Sequence, residues 1–213
     1  RCPERFAARS STSRDRPCDR PGHRTHNAGL RREYPAGVSR QIQLALTNAR
    51  PRPALPGHRM LSPSTTQMRV RLGDLDMYLH VNNGVYLQMM DIARTNLLAD
   101  LGALPALRAQ GWYPVVAAST MTYRRSLQLR ERFEIVSRVL AWDPRVVYLE
   151  QVFTRDGEHV ARGLVAGRFL GRKGARVSPA EVVELLEPGT QSPELPADVE
   201  GWARAVDVAH RGA

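Results

Sequence analysis

One helix-length segment is apolar around most of its circumference, and this constrains the fold more than any other feature. Over 83–101, Val85, Leu87, Met89, Met90, Ile92, Ala93, Leu97, Leu98 and Leu101 leave no wide polar stripe, so such a helix needs cover on most sides. Asn82 or Asn83 can cap its start, and Gly102 can end it in a left-handed turn. Four long strand candidates follow, at 112–123, 132–141, 146–154 and 159–171, and a short one precedes the helix at 67–72. Trp142-Asp143-Pro144 and Asp156-Gly157 read as hairpin turns between antiparallel neighbours. Phe133, Ile135 and Val139 alternate with Glu134 and Arg138, so one face of the sheet is wetter than the other. A helix of this size measures about 27 Å, and a ten-residue strand about 33 Å. The matched lengths predict an α+β fold, in which an antiparallel sheet of about five strands curls around one long central helix.

Shorter elements flank this core. A helical turn fits 105–110. Ser178, Pro179 and Glu181 supply a serine cap, a first-turn proline and a third-position glutamate, which predict a helix through Leu186 that Pro188 stops. Pro193 and Pro196 mark a linker, and Asp198 is the expected cap of a last helix whose Val199, Trp202, Val206 and Ala209 share a stripe. A length of 213 residues suits one domain with tails. The expected organisation is an extension at 1–59, a globular domain at 60–187, and a linker with a short helix at 188–213.

Charge separates the extension from the rest. The net +10 is concentrated in residues 1–59, which hold 13 arginines against 4 acidic residues, while 60–213 hold 18 basic against 17 acidic. The same 59 residues carry 7 of the 15 prolines and no sustained apolar period, so they are read as disordered. A targeting peptide, a polybasic arm that binds nucleic acid without base specificity, and upstream codons included in the reading frame all remain open for them. No apolar run reaches the roughly 18 residues of a membrane span. Both cysteines, Cys2 and Cys18, lie in the extension, so the core suits a reducing cytoplasm.

The chemistry-bearing stretch is Asp74-Leu75-Asp76-Met77-Tyr78-Leu79-His80-Val81-Asn82-Asn83-Gly84-Val85-Tyr86. It sets carboxylates, an imidazole and two amides directly before a helix start, where backbone N–H groups lack partners and the dipole is positive. An oxygen gaining negative charge can be held there, while Asp76 or His80 activates water or takes a proton. That combination suits attack on an acyl carbonyl. Each residue also has a plainer use: Asp76 can organise the loop through backbone amides, His80 can hydrogen-bond the helix entrance, and Asn82 and Asn83 can act as caps alone.

At these residues the sequence resembles the hotdog-fold thioesterases, over about 68–186, through D-L-D at 74–76, H-V-N-N at 80–83 and Tyr86. Val115-Val116-Ala117 and Tyr123-Arg124-Arg125 bring it nearest to the thioesterase superfamily member 6-like branch and to bacterial acyl-CoA thioesterase-family proteins. It is similar also to 4-hydroxybenzoyl-CoA thioesterases and plant acyl-ACP thioesterases. The resemblance implies a sheet wrapped around one helix, and homodimers or dimers of dimers with active sites at the interface. It further implies an acyl-CoA or acyl-ACP substrate and Asp76 as general base or nucleophile. His80 then orients or shuttles a proton, and Asn82, Asn83, Gly84, Val85 and Tyr86 line the acyl carbonyl site. Tyr78 departs from the plant pattern, which has asparagine there, and no second acidic partner is evident. A binding protein that keeps the fold without hydrolysis is the alternative.

Other polar residues read as structural or as absent machinery. Asp91 and Arg94, three apart, suit an intrahelical ion pair, and Met89 and Met90 suit packing. Arg124, Arg125 and Arg130 can meet coenzyme A phosphates or form a solvated strand edge. No metal-ligand spacing, glycine-rich phosphate loop or G-x-S-x-G elbow is present, so no cofactor is expected.

Overall fold

The computed structural model describes residues 39–209. Its elements run α1 (Arg40–Ala49), β1 (Ser64–Arg69), α2 (Asn83–Asp100), α3 (Ala103–Gln110), β2 (Tyr113–Tyr123), β3 (Arg132–Trp142), β4 (Val147–Arg155), β5 (Glu158–Leu170), β6 (Arg176–Val177), α4 (Pro179–Leu186) and α5 (Ala197–Ala205). The strands form one antiparallel sheet in the order β1-β3-β4-β5-β2, with β6 added to β5. Helix α2 lies on the inner face, and the predicted α+β fold of one central helix wrapped by the sheet is what the chain adopts.

The packing explains why α2 is oily on most sides. Met89, Met90, Ile92 and Ala93 are buried against Phe133, Ile135, Phe153 and Val165. Gly163 sits on β5 opposite Met90, and a Cβ there would lie 2.8 Å from the sulfurs of Met90 and Met121. A side chain at that position would have to displace the flexible ends of Met90 and Met121, and glycine leaves room for them between helix and sheet. Gln151, fully buried on β4, bridges the same interface: its amide donates to Met90 O at 3.1 Å and Ser137 Oγ at 2.8 Å, while Arg94 Nη1 donates to its carbonyl at 2.7 Å. Arg94 also pairs with Asp91, as their spacing predicts. Asn82 caps α2, and Gly102 follows it at φ 69°.

Three expectations are corrected. The extension read as disordered contains α1, a ten-residue helix that lies against α2. Its buried stripe is Arg40, Gln43 and Thr47, whereas Ile42 and Leu46 are exposed, so an apolar period could not reveal it. Residues 1–38 lie outside the described residues. β1 begins at Ser64 rather than Gln67. Its early residues Ser64 and Thr66 are buried because Arg52 Nη2 donates to Ser64 Oγ at 2.9 Å and Asn96 Nδ2 to Thr66 Oγ1 at 3.1 Å. Polar inward residues thus disguise half the strand. Lastly, Asp198 does not cap α5: Pro196 holds that position, and Asp198 accepts from Arg162 Nη1 at 2.7 Å inside the first turn.

Helix α5 also changes the expected wet face. Val199, Ala203 and the following Val208 cover Val146, Tyr148, Leu164 and Ala166 on the outer side of the sheet. Below Asp198, Arg162 Nε donates at 2.6 Å to buried Glu150, so the ion pairs pin α5 to β4 and β5. α4 carries the predicted capping box of Ser178 and Glu181.

Candidate active site

The loop between β1 and α2 is a small closed ring, and its geometry separates the two aspartates of D-L-D. Asp74 is buried. Its Oδ1 accepts from Arg40 Nε at 2.9 Å, and its Oδ2 accepts from Arg40 Nη2 at 2.6 Å and Arg71 N at 2.8 Å. Asp76 is half-buried at the rim. Its Oδ1 accepts the amides of Tyr78 at 2.8 Å and His80 at 3.3 Å. The ring closes through Asp76 N to His80 O at 2.8 Å, Asn82 N to Asp74 O at 2.9 Å, and an antiparallel bridge between Leu75 and Val81. Leu79 turns the corner at φ 61°, a conformation unusual for a residue with a side chain. Oδ2 of Asp76 makes no hydrogen bond among the described residues.

At the helix start, Asn82 Oδ1 accepts the Gly84 amide at 2.8 Å, and Asn82 O accepts the Val85 amide at 2.9 Å. Of the Asn83, Gly84 and Val85 amides at the helix start, the last two are thus already engaged by Asn82. The Asn83 amide makes no bond among the described residues. Asn82, Asn83, Gly84 and His80 are exposed, and Val85 is half-buried against the core. It is the backbone amide of His80 that meets Asp76.

Aromatic rings form the floor. Tyr86 is buried and makes edge contacts with Tyr123 at 5.1 Å and Phe153 at 5.2 Å between centroids. The Tyr123 hydroxyl donates to Asn83 O at 3.5 Å, which brings the end of β2 beside the start of α2. Burial pushes the Tyr86 phenol up to about 12 and raises Tyr123 as well, so both stay neutral and neither is a base near neutral pH. Tyr78 projects its ring into solvent and contributes its backbone amide to Asp76.

Asp76, His80, Asn82, Asn83, Gly84, Val85 and Tyr86, the residues singled out in the sequence, lie together on this loop and helix start. Two further neighbours, Tyr123 and Arg40, were not predicted: Tyr123 stands in the visible Tyr123-Arg124-Arg125 run, and the signal for Arg40 is the otherwise unexplained first aspartate of D-L-D. Arg125 pairs with Glu158 on the surface. No group of three or more acidic, histidine or cysteine side chains able to hold a metal occurs among the described residues.

A curled sheet around one helix, with a carboxylate loop at the helix start, defines the hotdog thioesterase class. A family model described as Thioesterase-like superfamily matches residues 70–203, and the chain belongs to that superfamily. The class of enzyme is thioester hydrolase. The chain is 34% identical to Protein THEM6 of Danio rerio over 151 residues, covering 70% of this chain and 73% of that protein. It is 32% identical over 102 residues to the long-chain acyl-CoA thioesterase FadM of Escherichia coli, covering 47% of this chain and 77% of that one. Among solved structures, the probable thioesterase YbaW of Escherichia coli superposes with a TM-score of 0.55 at 29% identity, over 59% of this chain and 97% of that chain. Among the described residues, no helix is long and apolar enough to cross a membrane.

Proposed function

We propose that the chain hydrolyses an acyl-CoA thioester, with acyl-ACP as the alternative carrier, and that Asp76 is the hydrolytic carboxylate. The observation that supports this most is the Asp76 loop: two amides hold Oδ1, and Oδ2 stays free beside an exposed helix start. In this reading Oδ2 takes a proton from water as the water oxygen attacks the thioester carbon. The carbonyl oxygen gains charge against the Asn83 amide and the positive end of α2, with the Gly84 and Val85 amides adding their dipoles. The C–S bond then breaks and the thiolate takes the proton back. Asp76 attacking directly, to give an anhydride that water opens, serves the same geometry. His80, exposed across the ring from Asp76, orients the water or shuttles the proton. Asn82 fixes the helix start, while Val85 and Tyr86 form the floor under the acyl carbonyl. The similarity to a long-chain acyl-CoA thioesterase supports coenzyme A as the carrier.

The same reading includes a homodimer, or a dimer of dimers, completing the acyl slot. Support comes from β2, a sheet-edge strand whose Tyr113, Val116 and Tyr123 are exposed and whose end touches the helix start. A cytoplasmic location rests on a core without cysteine. The test is thiol release from a panel of acyl-CoA substrates by the full chain. Asp76→Ala is expected to lower kcat by about 10²- to 10⁴-fold, and His80→Ala by less. Release unchanged in Asp76→Ala removes Asp76 from the chemistry.

A second reading, an acyl-thioester-binding protein without turnover, is favoured by the engagement of Asp76 Oδ1 and the Gly84 amide in the loop's own hydrogen bonds. Saturable acyl-CoA binding with no thiol release supports it.

A further inference from the structure

We infer that α1 is a working part of the hydrolytic site, and that Arg40 is a positioning residue which sets the Asp76 loop by gripping Asp74. This rests on the reading of Asp76 above. Arg40 and Asp74 are each 3% exposed, and the guanidinium meets both carboxylate oxygens, at 2.9 and 2.6 Å. The same group donates to Gln43 Oε1 at 2.7 Å and to Arg69 O at 2.8 Å. One side chain therefore joins three elements: α1, the end of β1 and the loop. A planar fork of five donors can do this, and a lysine ammonium cannot.

Asp74 carries the constraint onward. Its Oδ2 holds the Arg71 amide, and its carbonyl receives the amide of Asn82, the residue that caps α2. Asp76 lies two residues along and closes its own bond to His80 within that ring. Arg40 thus fixes the base of a ring whose rim carries the reacting carboxylate and whose exit is the anion-binding helix start. Displacement of such a group by a fraction of an ångström to one ångström is enough to cost turnover. Arg40 stands outside the matched superfamily region, which begins at residue 70. The grip is supplied from beyond the shared domain.

A second arginine gives the matched control. Arg52 also ties the N-terminal arm to α2, but at the far end, through Asp100, Ser64 Oγ and the carbonyl of Thr65. In the full chain, Arg40→Ala is expected to lower kcat by roughly ten- to a hundredfold with KM within about twofold. Arg52→Ala is expected to lower the melting temperature yet keep kcat, measured well below both transitions. Guanidinium ion at sub-denaturing concentration is expected to restore part of the lost kcat in Arg40→Ala and none in Arg52→Ala. Hydrogen exchange at the amides of Tyr78, His80 and Asn82 is expected to quicken in Arg40→Ala alone.

Unchanged kcat in Arg40→Ala, or an equal loss in Arg52→Ala without guanidinium rescue, overturns the inference. If Arg40→Ala does not fold, Arg40→Lys carries the same comparisons. If the unsubstituted chain releases no thiol, the hydrolase reading fails by itself. The exchange rates then still decide whether Arg40 sets the loop, and loop amides that exchange alike in both variants overturn it.

Discussion

Asp74 and Asp76 stand two residues apart, the first buried and the second half-buried at the rim, and their uses follow from that difference. A buried carboxylate survives only if it is paired and hydrogen-bonded, and Asp74 is both, through Arg40 and the Arg71 amide. Removing one member of such a pair leaves the other charge uncompensated. Asp74→Ala is therefore expected to destabilise the fold by about 3–5 kcal/mol in denaturant unfolding; a change below ~1 kcal/mol contradicts the account of the pair. Gly163 is a second residue whose role is set by space. A side chain there meets Met90 and Met121, both in or against the core around α2. Gly163→Val is expected to cost about 1–3 kcal/mol through overpacking. Shortening the opposing side chain by Met90→Ala in the same molecule should make the double variant less unstable than the two single losses added together.

At the scale of elements, α4 is tied to the N-terminal arm by Glu187, which ends the helix. Its Oε2 accepts the Met60 amide at 2.7 Å, and its Oε1 accepts Arg59 Nε at 2.6 Å. The Met60 amide first, and then Arg59, hold the carboxyl below the usual carboxylate range. A folded-state pKa below the unfolded one contributes stability that is present above the ordinary value of about 4 and lost as pH falls through the folded one. The melting temperature of Glu187→Gln should therefore lie below that of the unsubstituted chain at pH 7, and the gap should narrow as pH falls through the folded value. A gap that stays constant with pH contradicts the assignment. The helix α2, the four long strands and the α4 capping box were legible because apolar period and cap chemistry express them directly. α1 and the first half of β1 were not, because Arg40, Gln43, Thr47, Ser64 and Thr66 turn polar groups inward and satisfy them there. Hydrophobic patterning carries no mark of a buried polar stripe.

At the scale of the molecule, the sheet closes around α2 on one side and leaves β2 as an edge, with Val116 47% exposed at its middle. A long apolar edge invites pairing, so sedimentation is expected to find a dimer, and Val116→Lys to shift it toward monomer with loss of turnover. A monomeric, fully active chain contradicts the dimer proposal. The candidate site could be proposed from the chain because its residues are contiguous from Asp74 to Tyr86 and end at a helix start. What could not be read was which aspartate faces inward and which amides the Asn82 cap already occupies, since both depend on Arg40 and on the closed ring. The central claim is that the Asp76 carboxylate does chemistry beyond holding its loop. Asp76→Asn separates the two uses, because an amide oxygen can still accept the Tyr78 and His80 amides while the charge is gone. Measured by thiol release under saturating acyl-CoA, Asp76→Asn is predicted to lose turnover as fully as Asp76→Ala. Turnover retained in Asp76→Asn and lost only in Asp76→Ala would show a loop organiser and contradict the claim.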